Sequence, residues 1–250
     1  MPFLRLTDPA ALPHHLKGAV IAIGNFDGVH RGHQAVLQHA LHAARRAGKP
    51  ALVLTFEPHP RSLMQPDKPV DRLTPAGQKA EIFRLMGFDA VLEQTFSHAF
   101  AACSAEAFVE DILYGLLQIS GVVTGYNCYF GHKRRGSPAF LQQAGQKLGF
   151  DVHVIDALHD ESGQVISSSR IRALLAQGKV AQAAALLGYH YTVSAKVIHG
   201  AALGRTLGFP TANMLLTPQT SLALGIYAVR LRDAGGKIHD GVASFGRRPT

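Results

Sequence analysis

The chain has 250 residues, 47% of them hydrophobic and 17% charged, a composition that excludes a disordered or collagen-like chain and gives room for one large domain, or a larger one followed by a smaller. No apolar run reaches the 18 or so residues of a membrane helix, and Met1 to Leu16 lacks a charged-then-apolar signal pattern, so a soluble, cytoplasmic chain with no membrane partner is expected. The net charge of +8 suits an anionic partner or a merely soluble surface, and Cys103 and Cys128, with no CxxC pair, write neither a disulfide framework nor a zinc ribbon.

In chain order, short apolar runs alternate with helical patterns over the first two thirds. Strands are expected at Ala19 to Ile23, Ala51 to Phe56, Ala90 to Leu92, Gly121 to Thr124 and Val152 to Ile155. Helices are expected at about Gly32 to Ala47, Ala76 to Met86, Ala105 to Leu117 and Pro138 to Leu148. That alternation is the order of an open α/β fold with a parallel sheet. Two short helices, about Ser169 to Ala176 and Val180 to Leu186, lead to Gly188, where the pattern changes. Beyond it come β segments at Tyr191 to Ile198, Ile226 to Leu231 and Lys237 to Ser244, with Gly-rich turns and no helices between. A domain boundary is therefore placed near Leu187, giving units 1–187 and 188–250. The second unit, about 63 residues, is small for an all-β barrel and is expected to be incomplete.

The first strand runs into Gly24-Asn25-Phe26-Asp27-Gly28-Val29-His30-Arg31-Gly32-His33 and then a helix. In an open parallel sheet, ligands sit at the carboxyl ends of strands, and a helix start offers free N–H groups to phosphate. Gly28 and Gly32 let the backbone approach a triphosphate. His30 and His33 lie one helical turn apart, so both imidazoles can face one phosphate and stabilise charge building on it. As metal ligands they lack a third partner at recognisable spacing. Neither GxxxxGK[ST] nor GxGxxG occurs, which excludes a P-loop and a dinucleotide fingerprint.

His30-Arg31-Gly32-His33 resembles the HxGH signature of the nucleotidyltransferases. Ile166-Ser167-Ser168-Ser169-Arg170-Ile171-Arg172 resembles their second signature, with Ser169 where threonine is usual. The whole stretch Gly24 to His33, together with Thr55-Phe56-Glu57-Pro58-His59-Pro60-Arg61 and Arg72-Leu73-Thr74, is similar to the bacterial bifunctional riboflavin kinases and FMN adenylyltransferases, or FAD synthetases. Farther on, Gly204-Arg205-Thr206-Leu207-Gly208-Phe209-Pro210-Thr211-Ala212-Asn213 resembles the riboflavin kinase signature, and Gly225 to Val229 and Gly241 to Thr250 look like its next segments.

The resemblance implies a Rossmann-like nucleotidyltransferase domain followed by an all-β, barrel-like kinase domain, shortened at its C-terminal end and without the kinase's general base. It implies ATP, FMN and riboflavin as substrates, Mg²⁺ as cofactor, and FAD and pyrophosphate as products. His30 and His33 would act on the phosphates. Gly24, Asn25, Phe26, Asp27 and Gly28 would shape the ATP loop, with Ser167, Ser168 and Arg170 on the triphosphate. Asn127, Phe130 and Arg134 would contact the flavin, in a loop where Tyr126, Cys128 and Ser137 depart from the usual pattern. Gly208, Pro210, Thr211 and Asn213 would bind Mg-ATP in the kinase segment, with Thr211 and Asn213 on the metal, oxygen donors of the kind Mg²⁺ prefers. Kinase turnover is not expected of the chain, for want of that base. A competing reading, a flavin- or nucleic-acid-binding module using Lys133, Arg134 and Arg135, is disfavoured because no aromatic stacking platform accompanies so short a run, and no nucleic-acid partner is expected.

Overall fold

The computed structural model describes residues 2–199, 208, 211–216 and 220–246. Its contacts divide the chain into two compact units, 1–168 and 169–250.

In the first unit the elements are β1 (Leu4–Leu6), β2 (Val20–Ile23), α1 (Arg31–Ala47), β3 (Ala51–Glu57), α2 (Pro60–Met64), α3 (Ala76–Met86), β4 (Ala90–Thr95), α4 (His98–Ala101), α5 (Ala105–Ala107), β5 (Gly121–Gly125), α6 (Pro138–Leu148) and β6 (Asp151–Ile155). The six strands form one sheet in the order β1-β4-β3-β2-β5-β6, and every pairing is parallel. Strand residues alternate between two cores. Ile21, Ile23, Leu52, Leu54 and Val122 pack with Phe108, Leu113 and Leu141 on one face. Val20, Ala22, Val53, Val91 and Val123 pack with Leu37, Ala40 and Phe83 on the other.

Helix boundaries follow local chemistry. Ser137 caps α6 by accepting the Phe140 N–H, Pro138 occupies the first turn, and Gly149 closes the helix at φ 81°. α3 ends likewise on Gly87, at φ 96°. Beyond Ala107 the expected helix continues over Phe108–Leu116 as a π-helix. The apolar spacing that buries Phe108, Val109 and Leu113 suits either winding and does not distinguish them. The edge strand β1 escapes sequence reading because three residues are too few to show a period.

The second unit holds α7 (Ser168–Ala176), whose first residue closes the first unit, α8 (Val180–Leu187), β7 (Val197–Ile198), β8 (Asn213–Met214), β9 (Gly225–Arg232) and β10 (Ile238–Phe245). β9 and β10 form an antiparallel hairpin from Gly225↔Phe245 to Arg232↔Ile238. The long strand expected at Tyr191 to Ile198 is reduced to Val197–Ile198, because its partner β8 is itself only two residues long. Among the described residues, no helix is long and apolar enough to cross a membrane.

Candidate active site

β2 is followed through α1 by β3 on one side, then β4, whereas β5 lies on its other side. The winding therefore reverses between β2 and β5, and the crevice beyond the carboxyl ends of those strands is where an open α/β sheet takes its ligand. The Thr124 hydroxyl fastens the two strand ends by donating to the Ile23 carbonyl at 3.1 Å. The segment Gly24 to His33 leaves β2 at this point, and Asn127 follows β5 at the same end of the sheet.

α1 starts at His30, which is the helix cap. Its Nδ1 accepts the His33 N–H at 3.2 Å, so the neutral ring carries its proton on Nε2. The rings of His30 and His33 stack with centroids 3.6 Å apart and planes 18° from parallel. Phe26 turns its ring at 87° to His33, 5.4 Å away, and also packs on Phe83. A methyl group on Gly32 would approach the His30 ring to 3.3 Å, which explains a glycine between the two histidines.

The turn before the helix is held from below. Asp27, 2% exposed, accepts the Leu73 and Thr74 N–H groups at 3.0 and 3.1 Å, and Gly28 N–H donates to the Thr74 hydroxyl at 2.9 Å. Asp27, expected among the ATP-binding residues, thus turns its carboxylate into the protein and acts on the shape of the loop. Buried hydrogen bonds to a charged group are worth about 1.5–3 kcal/mol each, enough to fix such a turn. Ser168 ties in the far segment, its hydroxyl donating to the Asp27 carbonyl at 2.7 Å. Ser167 stands beside it, half-buried, and Arg170 falls in the second unit, on α7.

Beneath Asn25 lies a group of buried and half-buried charges to which the sequence reading assigned no role. Lys79 Nζ donates to the Asn25 carbonyl at 3.1 Å, the Thr55 hydroxyl at 2.9 Å and Glu57 Oε1 at 2.9 Å. Arg72 grips Glu57 with two hydrogen bonds of 2.7 and 2.8 Å, and its Nε stands 3.6 Å from Asp27. Burial pushes the Glu57 carboxyl upward, but Arg72 and Lys79 outweigh it and hold the group at about 2. Burial lowers Lys79, only partly offset by Glu57, whereas for Arg72 the carboxylates of Glu57 and Asp27 overcome the cost of burial and raise it. The sequence signal available was a lysine beside Ala80 and Phe83 on the buried stripe of α3.

Of the residues expected at the flavin, Asn127 is exposed at the crevice, and Arg134, also exposed, lays its guanidinium 5.0 Å from the centre of the Tyr129 ring. Phe130 lies deeper than these two. Its ring is 9% exposed and packs against Phe108 and Phe140, and a methyl group on Gly136 would meet that ring at 2.4 Å. Phe130 therefore anchors the loop in the core. In the second unit, Gly208 and Thr211 are exposed and Asn213 opens β8 half-buried, while Pro210 lies outside the described residues. Thr211 and Asn213 offer oxygen donors that fit a hard Mg²⁺ ion. Among the described residues, no group of three or more His, Cys, Asp or Glu could hold a metal ion.

Comparison with known proteins adds to this geometry. The FAD synthetase family model matches residues 12–170, and the riboflavin kinase family model matches residues 187–250. The bifunctional riboflavin kinase/FMN adenylyltransferase of Escherichia coli strain K12 is 42% identical over 234 residues, 94% of this chain and 74% of that protein. The proteins of the same name from Haemophilus influenzae and Listeria monocytogenes are 40% and 39% identical over 240 and 229 residues, covering 94% and 91% of this chain and 76% and 72% of theirs. A crystal structure of a Streptococcus pneumoniae protein, described as a macrolide-efflux protein, superimposes with a TM-score of 0.85 at 28% identity, over 99% of this chain and 80% of that one.

Proposed function

The chain belongs to the bifunctional riboflavin kinase/FMN adenylyltransferase family, and from that premise we propose that its first unit transfers the adenylyl group of ATP to FMN. A phosphate oxygen of FMN attacks the α-phosphorus of ATP in line. The new P–O bond forms as the bond to pyrophosphate breaks, and FAD and pyrophosphate result. Such a reaction needs alignment and charge stabilisation rather than a covalent intermediate.

One observation carries the reading: two stacked imidazoles open a helix at the place where the sheet reverses its winding. His30, its Nδ1 engaged by the helix, presents an Nε2 proton, and His33 stacks on it, so the pair can donate to phosphate oxygens as charge grows on them. The N–H groups at the start of α1 add a positive dipole end. Gly24, Asn25, Phe26, Asp27 and Gly28 hold the turn, and Ser167 and Ser168 bring the second signature to it. Asn127 and Arg134 flank the crevice for the flavin nucleotide. Mg²⁺, when bound to the nucleotide, neutralises phosphate charge.

A second reading, riboflavin phosphorylation by the second unit, is favoured by the riboflavin kinase match and by the oxygen donors Thr211 and Asn213, which would hold Mg-ATP. We place the functional boundary between the two activities at 187/188. Both readings are tested by incubating the purified chain with ATP, Mg²⁺ and either FMN or riboflavin, and separating the products by chromatography. FAD from FMN is expected, and its absence under conditions where the chain is folded overturns the adenylyl-transfer reading. FMN from riboflavin establishes the kinase reading, and no product from riboflavin rejects it.

A further inference from the structure

The three protons of the Lys79 ammonium are all spent inside the protein, on the Asn25 carbonyl, the Thr55 hydroxyl and Glu57. None is left for a phosphate, so Lys79 is not a catalytic residue. Its side chain is 1% exposed on a helix face that otherwise buries Ala80 and Phe83. Burying an ammonium there is costly, and an apolar residue of similar volume would pack more cheaply. What an apolar residue could not do is bridge two elements that end at the crevice. The Asn25 carbonyl, a link in the turn that leads to His30, accepts from both Lys79 and the Thr55 hydroxyl, while Glu57 anchors the ammonium to β3.

We propose that Lys79 is a positioning residue of the nucleotide loop, its ammonium holding Asn25 so that the turn Gly24 to Gly28 presents His30 and His33 to the phosphates. This rests on the adenylyl-transfer reading of the same site. The charged groups facing the ammonium are Glu57 from β3, Arg72 from the segment after α2, and Asp27 from the loop itself. With the ammonium they make two positive and two negative charges, and the Asn25 carbonyl and the Thr55 hydroxyl direct the ammonium towards the turn. A displacement of about 1 Å in such a loop costs about 100-fold in turnover.

The test compares Lys79→Met, Lys79→Arg, Thr55→Val and a control in the opposite core, Leu113→Ala, by steady-state kinetics and by amide hydrogen exchange of the peptide spanning 23–33. Lys79→Met is expected to lower kcat by about 100-fold while KM for FMN stays within about 2-fold. Lys79→Arg, which keeps charge and donors, recovers most of that loss, and Thr55→Val shows a smaller loss of the same kind if Lys79→Met does not fold. Leu113→Ala loses melting temperature but keeps its kcat. Exchange in Lys79→Met, or in Thr55→Val in its place, quickens in the loop and not in the control. A kcat within about 3-fold of the parent in Lys79→Met, or a kcat loss in Leu113→Ala equal to that of Lys79→Met, overturns the proposal. If the parent chain makes no FAD, the adenylyl-transfer reading fails, and exchange alone then decides on Lys79: unchanged loop protection rejects its role and selective loss of protection upholds it.

Discussion

The central strands of the first unit and the hairpin of the second are built from similar residues but live in different surroundings. β2, Val20–Ile23, is buried at every position, between helices on both faces of the sheet. In the hairpin, Ile226 and Val242 are 78% and 77% exposed, and only alternate residues of β9 are partly covered. Both regions read as strands, yet one is a scaffold and the other a ribbon whose apolar side chains add little to its own stability. A site that must hold two imidazoles 3.6 Å apart is found on the first.

That contrast can be broken in three places, taken from the largest expected effect to the smallest. His33→Ala, on α1 beyond the carboxyl end of the central strand β2, is expected to cost about 100- to 1,000-fold in FAD formation with circular dichroism and melting temperature unchanged. Undiminished FAD formation would remove the imidazole pair from the mechanism. Next, Leu54→Ala, in the middle of β3, should destabilise the protein by about 2–5 kcal/mol in urea unfolding, whereas Val242→Ala in the hairpin should change stability by less than about 0.5 kcal/mol. Equal losses would mean that the hairpin is packed as tightly as the sheet.

The smallest effect concerns acid. Glu57 sits at about 2 in the folded protein, against an ordinary 4.5. Its contribution to stability is therefore complete above pH 4.5 and is lost progressively as the pH falls from 4.5 towards 2. Melting temperatures measured across that window should decline less steeply in Glu57→Gln than in the parent. An identical slope in both would show that Arg72 and Lys79 do not hold the carboxylate as described.

Much of this architecture is legible in the sequence. The helices Ala76–Met86 and Pro138–Leu148 fall where expected because glycines close both and a serine and proline open the second. The histidine pair was legible because its partners are three residues apart and share one helix turn. The charges beneath it were not. Glu57, Arg72 and Lys79 come from a strand, a loop and a helix, separated by 15 and 7 positions, and no periodicity relates them. Arg72-Leu73-Thr74 stood out by resemblance, but the backbone amides of Leu73 and Thr74 grip Asp27, and no side-chain pattern announces a backbone donor. Phe130 was open to two readings for a related reason, since an aromatic ring near a loop reads the same whether it faces a ligand or Phe108. The short β7 failed because strand length depends on what a strand pairs with.

The capping bond of His30 has a consequence for how this site can vary. One imidazole both caps the helix and stacks on His33, so two selective demands converge on one side chain. Aspartate, asparagine or serine at position 30 would satisfy the helix and forfeit the ring stacked on His33; an aromatic ring without a nitrogen would keep the stack and leave the His33 amide without its acceptor. The overlap narrows the acceptable chemistry at that position to imidazole, whatever nucleotide the crevice receives.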